Sequence, residues 1–497
     1  MAAPRFLSKR GLLSLLVVFS FIGVVLLSAK NIGQFCEAGS YCDTSGFRNK
    51  LPNLGGHSAG DQAPVIHGAI PTDRPNIAPA YKAIALGECA NFPNTSNVLT
   101  IMKTGASEAY SRLPTQLMTA LKCLSDFLIF SDMKQKIGGY QIFDSLDTVL
   151  DEVKHTNKDF ELYLRQTECP VDQGECNKHF DTAKQGWNLD KYKNIHMAEK
   201  AYRMRPDYDW YLFVDADTYV VYPTMMEWLK NLDPQKPHYI GSVAYLGQLP
   251  FGHGGSGYLV SQAAMHAMFH GKENVANKYD EPVQHVCCGD AMWSQALKDE
   301  TGIEVVNAWP IINGEKPHTI PYDDNEWCQP ITTMHHVSAE EISELYAFEK
   351  ERNFEHPLRI KDLYHKFVGS TLKAARPDWD NLSDDVFYLN ETLADYAEHE
   401  LKRAKKDDLN DEEAVAWRSF DDCRNACLSR DDCFQFRYQN HLCAVGHKLR
   451  HGNPTKTDKD DSKRYMSGWN MAKISHWIKK KGECDSPFKW PIRDSWL

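Results

Sequence analysis

Two carboxylates two residues apart, Asp215 and Asp217, close the run Asp209-Trp210-Tyr211-Leu212-Phe213-Val214-Asp215-Ala216-Asp217. Two ionised acids drawn out of water side by side need a cation between or beside them. A divalent ion carrying a phosphate ligand answers both charges, and hard oxygen ligands suit Mg²⁺ or Mn²⁺. A solvated acid pair in a loop after a core strand has the same spacing, so the motif alone leaves both readings open.

The elements around the pair favour a crevice. Trp210 to Val214 is short, aromatic and β-branched, which predicts a buried strand rather than a helix. Asn97-Val98-Leu99-Thr100-Ile101-Met102 predicts a first strand, followed by Lys103-Thr104-Gly105 and a helix to about Cys123. Phe127 to Phe130 predicts a second, ending in Ser131-Asp132. Strand, turn and helix alternate up to Trp210, the pattern of an α/β fold whose mostly parallel sheet carries helices on both faces. Ligands of such sheets sit beyond the carboxyl ends of the strands, so Thr104, Asp132 and the acid pair are expected to converge on one edge. Later come Tyr239-Ile240-Gly241 and His253-Gly254-Gly255-Ser256-Gly257-Tyr258-Leu259-Val260-Ser261. Glycines so dense before a strand imply a close backbone approach, to another segment or to a ligand, though a tight turn also uses them.

Lys103-Thr104-Gly105, Ser131-Asp132, Asp215-Ala216-Asp217, Gly254-Gly255-Ser256-Gly257-Tyr258 and Gly289-Asp290 occur in an order that resembles glycosyltransferase family 31, in the branch of Fringe and the core 1 β1,3-galactosyltransferases. The likeness spans about residues 97–340. It implies a GT-A, Rossmann-like fold, a UDP-sugar donor, Mn²⁺, and inversion at the anomeric carbon to give a β1,3 linkage, with galactose favoured as the sugar. By the same likeness Asp215 and Asp217 bind the metal, Asp217 most directly, and Met334-His335-His336-Val337 supplies a late ligand, His335, with His336 as the one-residue alternative. Asp290 takes the place of the catalytic acid of an acidic pair, here preceded by Gly289 and by Cys287-Cys288. Thr104, Asp132, Asp215 and Gly255 are implied on the nucleotide-sugar side. The chemistry is coherent on its own terms. A positioned carboxylate must take the acceptor hydroxyl's proton during an in-line displacement, and mixed oxygen and imidazole ligation suits Mn²⁺ better than Ca²⁺.

At 497 residues the chain predicts two or three domains, and a net charge of −11 with interspersed signs leaves no electrostatic footprint for nucleic acid. Arg5, Lys9 and Arg10 precede an uncharged run from Gly11 to Ala29, roughly 28 Å long as a helix. This predicts a retained signal anchor at 11–29 behind a cytosolic tail at 1–10, with the rest lumenal; a cleaved signal peptide is the rival. The expected placement is a single-pass type II protein of the Golgi membrane. All 14 cysteines lie after residue 30, as do sequons at Asn94, Asn381 and Asn390, which fits an oxidising compartment with disulfides. Cys36 with Cys42, and Cys169 with Cys176, could close small loops; no spacing resembles a zinc site.

Residues 30–95 read as a lumenal stem, 96–345 as the catalytic domain, 346–410 as a helical linker, 411–485 as a small module and 486–497 as a tail. In the module Cys423, Cys427, Cys433 and Cys443 enclose Phe434, Phe436 and Tyr438, and Cys423 and Cys427 share one helix face. The spacing resembles the PAN/apple domain, a small α+β unit stapled by disulfides, and that likeness implies Cys423–Cys443 and Cys427–Cys433. No donor, metal or base candidate lies beyond His336, so the crevice is expected to be complete without the module. The expected partners are a UDP-sugar donor, a glycan or glycoprotein acceptor and the membrane. A catalytically inactive, membrane-tethered protein that binds carbohydrate or protein through the module is the alternative.

Overall fold

The computed structural model describes residues 87–169, 171–355, 357–484, 488 and 490–492. The tail, the anchor at 11–29, Cys36, Cys42 and most of the stem lie outside the described residues. No helix among the described residues is long and apolar enough to cross a membrane. The chain divides into two compact units: Met1–Ala59 with Ala244–Leu249, and Gly60–Val243 with Pro250–Leu497. Of the first, only Ala244–Leu249 is described, at the turn of a ribbon of β8 (Val243–Leu246) and β9 (Leu249–Gly252). All that follows concerns the second.

Its centre is an eight-stranded sheet built from β1 (Val98–Lys103), β2 (Phe127–Ser131), β3 (Gln135–Ile137), β4 (Tyr140–Asp144), β5 (Trp210–Asp215), β7 (Tyr239–Gly241), β10 (Tyr258–Ser261) and β11 (Val306–Asn307). Their order is β11-β7-β10-β5-β1-β2-β4-β3. β1 runs parallel to both β2 and β5, while β10 and β3 run against their neighbours. β1 and β2 are buried along their whole length, as strands covered on both faces must be. Alternate residues feed two cores. Val98, Met102, Leu212 and Val214 meet the helices Ala109–Met118, Tyr222–Leu229 and Ala339–Glu351. Leu99, Ile101, Tyr211 and Phe213 meet Lys193–Met204, Gln262–Phe269 and Gly289–Thr301 on the other face. The chain leaves β1 to one side for β2 and returns on the other with β5, which opens the crevice at their carboxyl ends.

The expected boundary at residue 96 moves back. Cys89 is joined to Cys123, and Phe92 packs on Tyr222 and Phe354, so the chain is tied to the core from there. The expected helical linker is corrected too. Its first helix is Ala339–Glu351, but β13 (Ala375–Pro377), β14 (Trp379–Asp380) and β15 (Val386–Leu389) follow. With β16 (Gln435–Gln439), β17 (Leu442–Gly446) and β19 (Met466–Trp469) they form an antiparallel sheet, order β13-β19-β16-β17-β15, while β14 pairs with β18 (Asn453–Pro454). The helix Phe420–Leu428 lies on it through disulfides Cys423–Cys443 and Cys427–Cys433. Cys169 pairs with Cys176, and Cys287 with its neighbour Cys288.

The C-terminal sheet is not a detached module. Tyr322 and Leu449 exchange backbone hydrogen bonds of 2.8 and 3.0 Å, Trp327 meets Trp477 edge-on at 4.9 Å, and Cys328 is bonded to Cys484. Leu449, Trp469, Ile474 and Trp477 belong to the same apolar core as Val98 and Trp228. Of the sequons, Asn94 is exposed and Asn390 half-buried, but Asn381 is 0% exposed and its amide donates to the Phe436 and Gly468 carbonyls. That asparagine is a structural residue with no room for a glycan.

Candidate active site

Register decides where the acids stand. Lys103, at the end of β1, lies opposite Asp215 of β5, and its Nζ is 3.3 Å from the Asp215 carboxylate. Lys103 also donates to Asp190, which in turn lies 3.4 Å from Lys193. Burial works against the charge on Lys103, but Asp190 and Asp215 outweigh it and hold the ammonium above its ordinary value. Asp215, expected among the metal ligands, is therefore neutralised by a lysine from the neighbouring strand. Among the described residues, the cluster of side chains close enough to hold an ion together does not include it.

That cluster is Asp217, His335 and His336, whose ligand atoms lie within 4.8 Å of one another. A second ribbon builds it: β6 (Tyr219–Val220) pairs antiparallel with β12 (Thr333–Met334), and the Val337 N–H donates to the Asp217 carbonyl at 2.9 Å. His335 Nε2 thereby comes 3.3 Å from Asp217 Oδ1. His336 sits in the left-handed region at φ 58°, and the two imidazoles lie 3.8 Å apart. Gln116 fastens the acid loop from beneath, donating to the Ala216 and Thr218 carbonyls at 2.9 Å each. Burial alone would raise the Asp217 carboxyl, but the His335 ring, then Arg112 at 3.9 Å, carry it down to about 2. An ionised carboxylate beside an imidazole whose Nδ1 is buried without a partner suits a divalent cation of borderline hardness.

The glycine loop packs between this cluster and Asp290. A β-carbon on Gly255 would sit 2.2 Å from His335 Cε1, so the close approach is to the histidine ring, and the Gly255 carbonyl accepts from Thr218 at 2.7 Å. Gly255, expected on the donor side, thus makes room for the His335 ring. The Gly254 N–H donates to Asp290 Oδ2 at 2.8 Å, and the Ala291 N–H to Oδ1 at 2.9 Å. Both fix the carboxylate in the first turn of Gly289–Thr301. A β-carbon on Gly289 would lie 2.5 Å from the Lys191 carbonyl oxygen, which explains why a single acid stands there.

Of the expected uridine-side residues, Thr104 lies at the strand end, its carbonyl accepting from Lys193 at 3.0 Å. Asp132 is turned inward. It is 1% exposed, accepts the Ala106 N–H and has Gln166 Nε2 at 3.5 Å, so it shapes the Thr104–Ala106 loop rather than facing the crevice. Beside that loop lies a cleft of about 680 Å³, lined among others by Ala106, Tyr110, Lys134, Gln135 and Lys136.

Lys103, Arg112, Gln116, Asp190, Lys193 and His253 went unassigned in the sequence. Arg112 alone left a readable trace, one turn into a helix that follows a glycine turn at a strand end, where anions bind.

No curated protein matches the chain. Residues 151–294, which include Asp217, the glycine loop and Asp290, match the family model described as Fringe-like, and that match supports a glycosyltransferase.

Proposed function

We propose that the chain transfers a sugar, galactose favoured, from a UDP-sugar to a hydroxyl of a glycan or glycoprotein acceptor, with inversion, a β1,3 linkage and dependence on Mn²⁺. The observation that carries this reading is the convergence of Asp217 and His335 with Asp290 on either side of one glycine loop. Asp290 Oδ2, oriented by the Gly254 N–H, takes the proton as the acceptor oxygen bonds to C1 of the sugar and the bond from C1 to the phosphate oxygen breaks. Asp217 and His335 would hold a divalent ion, which would supply positive charge for the departing diphosphate. Arg112, beside Asp217, adds a fixed cation on the same side. The cleft next to the Thr104–Ala106 loop suits the nucleoside: Tyr110 offers a ring to stack on, and the side-chain oxygen of Gln135, Oε1, is buried without a partner. The proposal also places the chain in the Golgi as a type II membrane protein, which the N-terminal apolar run and the disulfides support.

The test is thermal stabilisation of the purified lumenal chain by UDP with and without Mn²⁺, followed by hydrolysis of a panel of UDP-sugars. Stabilisation only with both present, and metal-dependent release of one sugar, is the expected result. UDP that fails to stabilise the chain in Mn²⁺ would sink the reading.

A further inference from the structure

His253 opens the glycine loop, and its imidazole is held in one tautomer. The Ser256 N–H donates to His253 Nδ1 at 3.2 Å, and Ser256 Oγ lies 2.8 Å from the same atom. Nδ1 is therefore an acceptor and the ring proton sits on Nε2. The backbone is fixed as well, since the His253 N–H donates to the Ser242 carbonyl at 2.8 Å. Among the described residues Nε2 makes no hydrogen bond. The ring meets His335 edge-on at 5.5 Å, while the next residue, Gly254, holds Asp290.

That location is specific. In an in-line displacement the sugar's C1 must lie between the attacking oxygen, within reach of Asp290, and the departing phosphate, on the side of Asp217 and His335. His253 stands next to both sides: its ring lies 5.5 Å from that of His335, and its neighbour Gly254 donates to Asp290. We propose that His253 is a specificity-determining residue whose Nε2–H donates to a hydroxyl of the sugar being transferred. The inference rests on the donor reading above. A rigid donor aimed at a sugar hydroxyl selects more sharply than a flexible one, because a sugar that presents no oxygen there leaves a desolvated N–H unpaired.

The experiment compares binding of UDP, UDP-galactose, UDP-glucose and UDP-N-acetylglucosamine, each with Mn²⁺, by wild type, His253→Ala and His253→Gln. The melting temperature of each variant reports on its fold. For His253→Ala the expected result is UDP affinity within about twofold of wild type. The additional affinity conferred by the preferred sugar should be lost, together with about 10- to 100-fold in kcat/KM. His253→Gln, which keeps an N–H donor nearby, should recover part of the loss. A merely structural role would lower UDP and UDP-sugar affinity together, and that overturns the proposal. So does a fall in UDP affinity alone, which would assign His253 to the diphosphate, or an unchanged ratio of UDP-sugar to UDP affinity. A wild type that does not bind UDP in Mn²⁺ removes the donor reading itself, and this inference with it.

Discussion

Gly289 stands so close to Asn194 that a β-carbon there would lie 2.4 Å from the Asn194 amide nitrogen. The helix carrying Asp290 is thus seated directly on Lys193–Met204, whose first residue, Lys193, meets Asp190 and the Thr104 carbonyl. Gly289→Ala is expected to shift that seat. Overpacking of this kind costs about 1–3 kcal/mol, and turnover should fall while UDP affinity changes little. A variant with wild-type melting temperature and turnover would mean that the seat is looser than it looks.

Asp290→Asn keeps the size of the side chain and one oxygen acceptor but removes the base. Donor binding should survive, with turnover reduced on the order of 10²–10⁴-fold. The measurement is single-turnover transfer alongside UDP calorimetry. Loss of UDP binding in step with turnover would move the base elsewhere.

At the metal the three ligand candidates are not equivalent. His335 is buried and faces Asp217 at 3.3 Å, whereas His336 is exposed at the rim. Asp217→Ala should abolish Mn²⁺-dependent UDP binding, and His335→Ala should raise the Mn²⁺ requirement far more than His336→Ala. Asp215→Asn, in contrast, should act through Lys103 and leave metal affinity nearly intact. A metal titration that ranks Asp215 with Asp217 contradicts this assignment.

What the sequence revealed follows from range. β1, β2 and β5 were readable because strands covered on both faces are continuous apolar runs. Asp217, His335 and Asp290 could be singled out as candidates because the order of short motifs survives without knowing any contact, and the fold brings them to either side of one glycine loop. Long-range pairings were not. Asp215 needs the register of β5 against β1 before Lys103 is known to face it, and Asp132 looks like a crevice residue until the loop it braces is seen. β13 is three residues long, carries Arg376 and Pro377 and is largely exposed, so it has no apolar pattern to read.

Glu349 gives the fold a pH dependence. It is 4% exposed, accepts a hydrogen bond from Tyr219 Oη, and burial raises its carboxyl to about 8. The folded state thus binds this proton more tightly than the unfolded chain does. The resulting stability is complete below the ordinary carboxylate range and is lost as pH rises through about 8. Glu349→Gln removes the titration. Its stability relative to wild type should increase between pH 5.5 and 8, by at most about 1.4 kcal/mol per pH unit. Denaturant curves for both proteins at the two pH values measure the difference, and a difference that does not change with pH rules the effect out.

The C-terminal sheet is where structure and sequence differ most in consequence. A chain cut at Lys406 looks complete in sequence because every chemical candidate precedes it. In the fold such a cut leaves β13 and β15 without β19 and β17, and removes Leu449, Trp469, Ile474 and Trp477 from the core they share with Trp228. Losing one such side chain from a core costs about 2–5 kcal/mol, so losing four is comparable to the whole stability of a typical domain, about 5–15 kcal/mol. The truncated chain is therefore expected not to fold, and to lose UDP binding along with everything else. A gentler variant separates docking from folding. Cys328→Ser with Cys484→Ser opens a bond that spans 156 residues, whose entropic contribution is on the order of 5 kcal/mol. The paired Trp327 and Trp477 and the Tyr322–Leu449 hydrogen bonds remain in that double variant. It should melt several degrees lower yet bind UDP in Mn²⁺ as wild type does. A truncated chain that melts cooperatively and binds UDP would restore the picture of a detachable module.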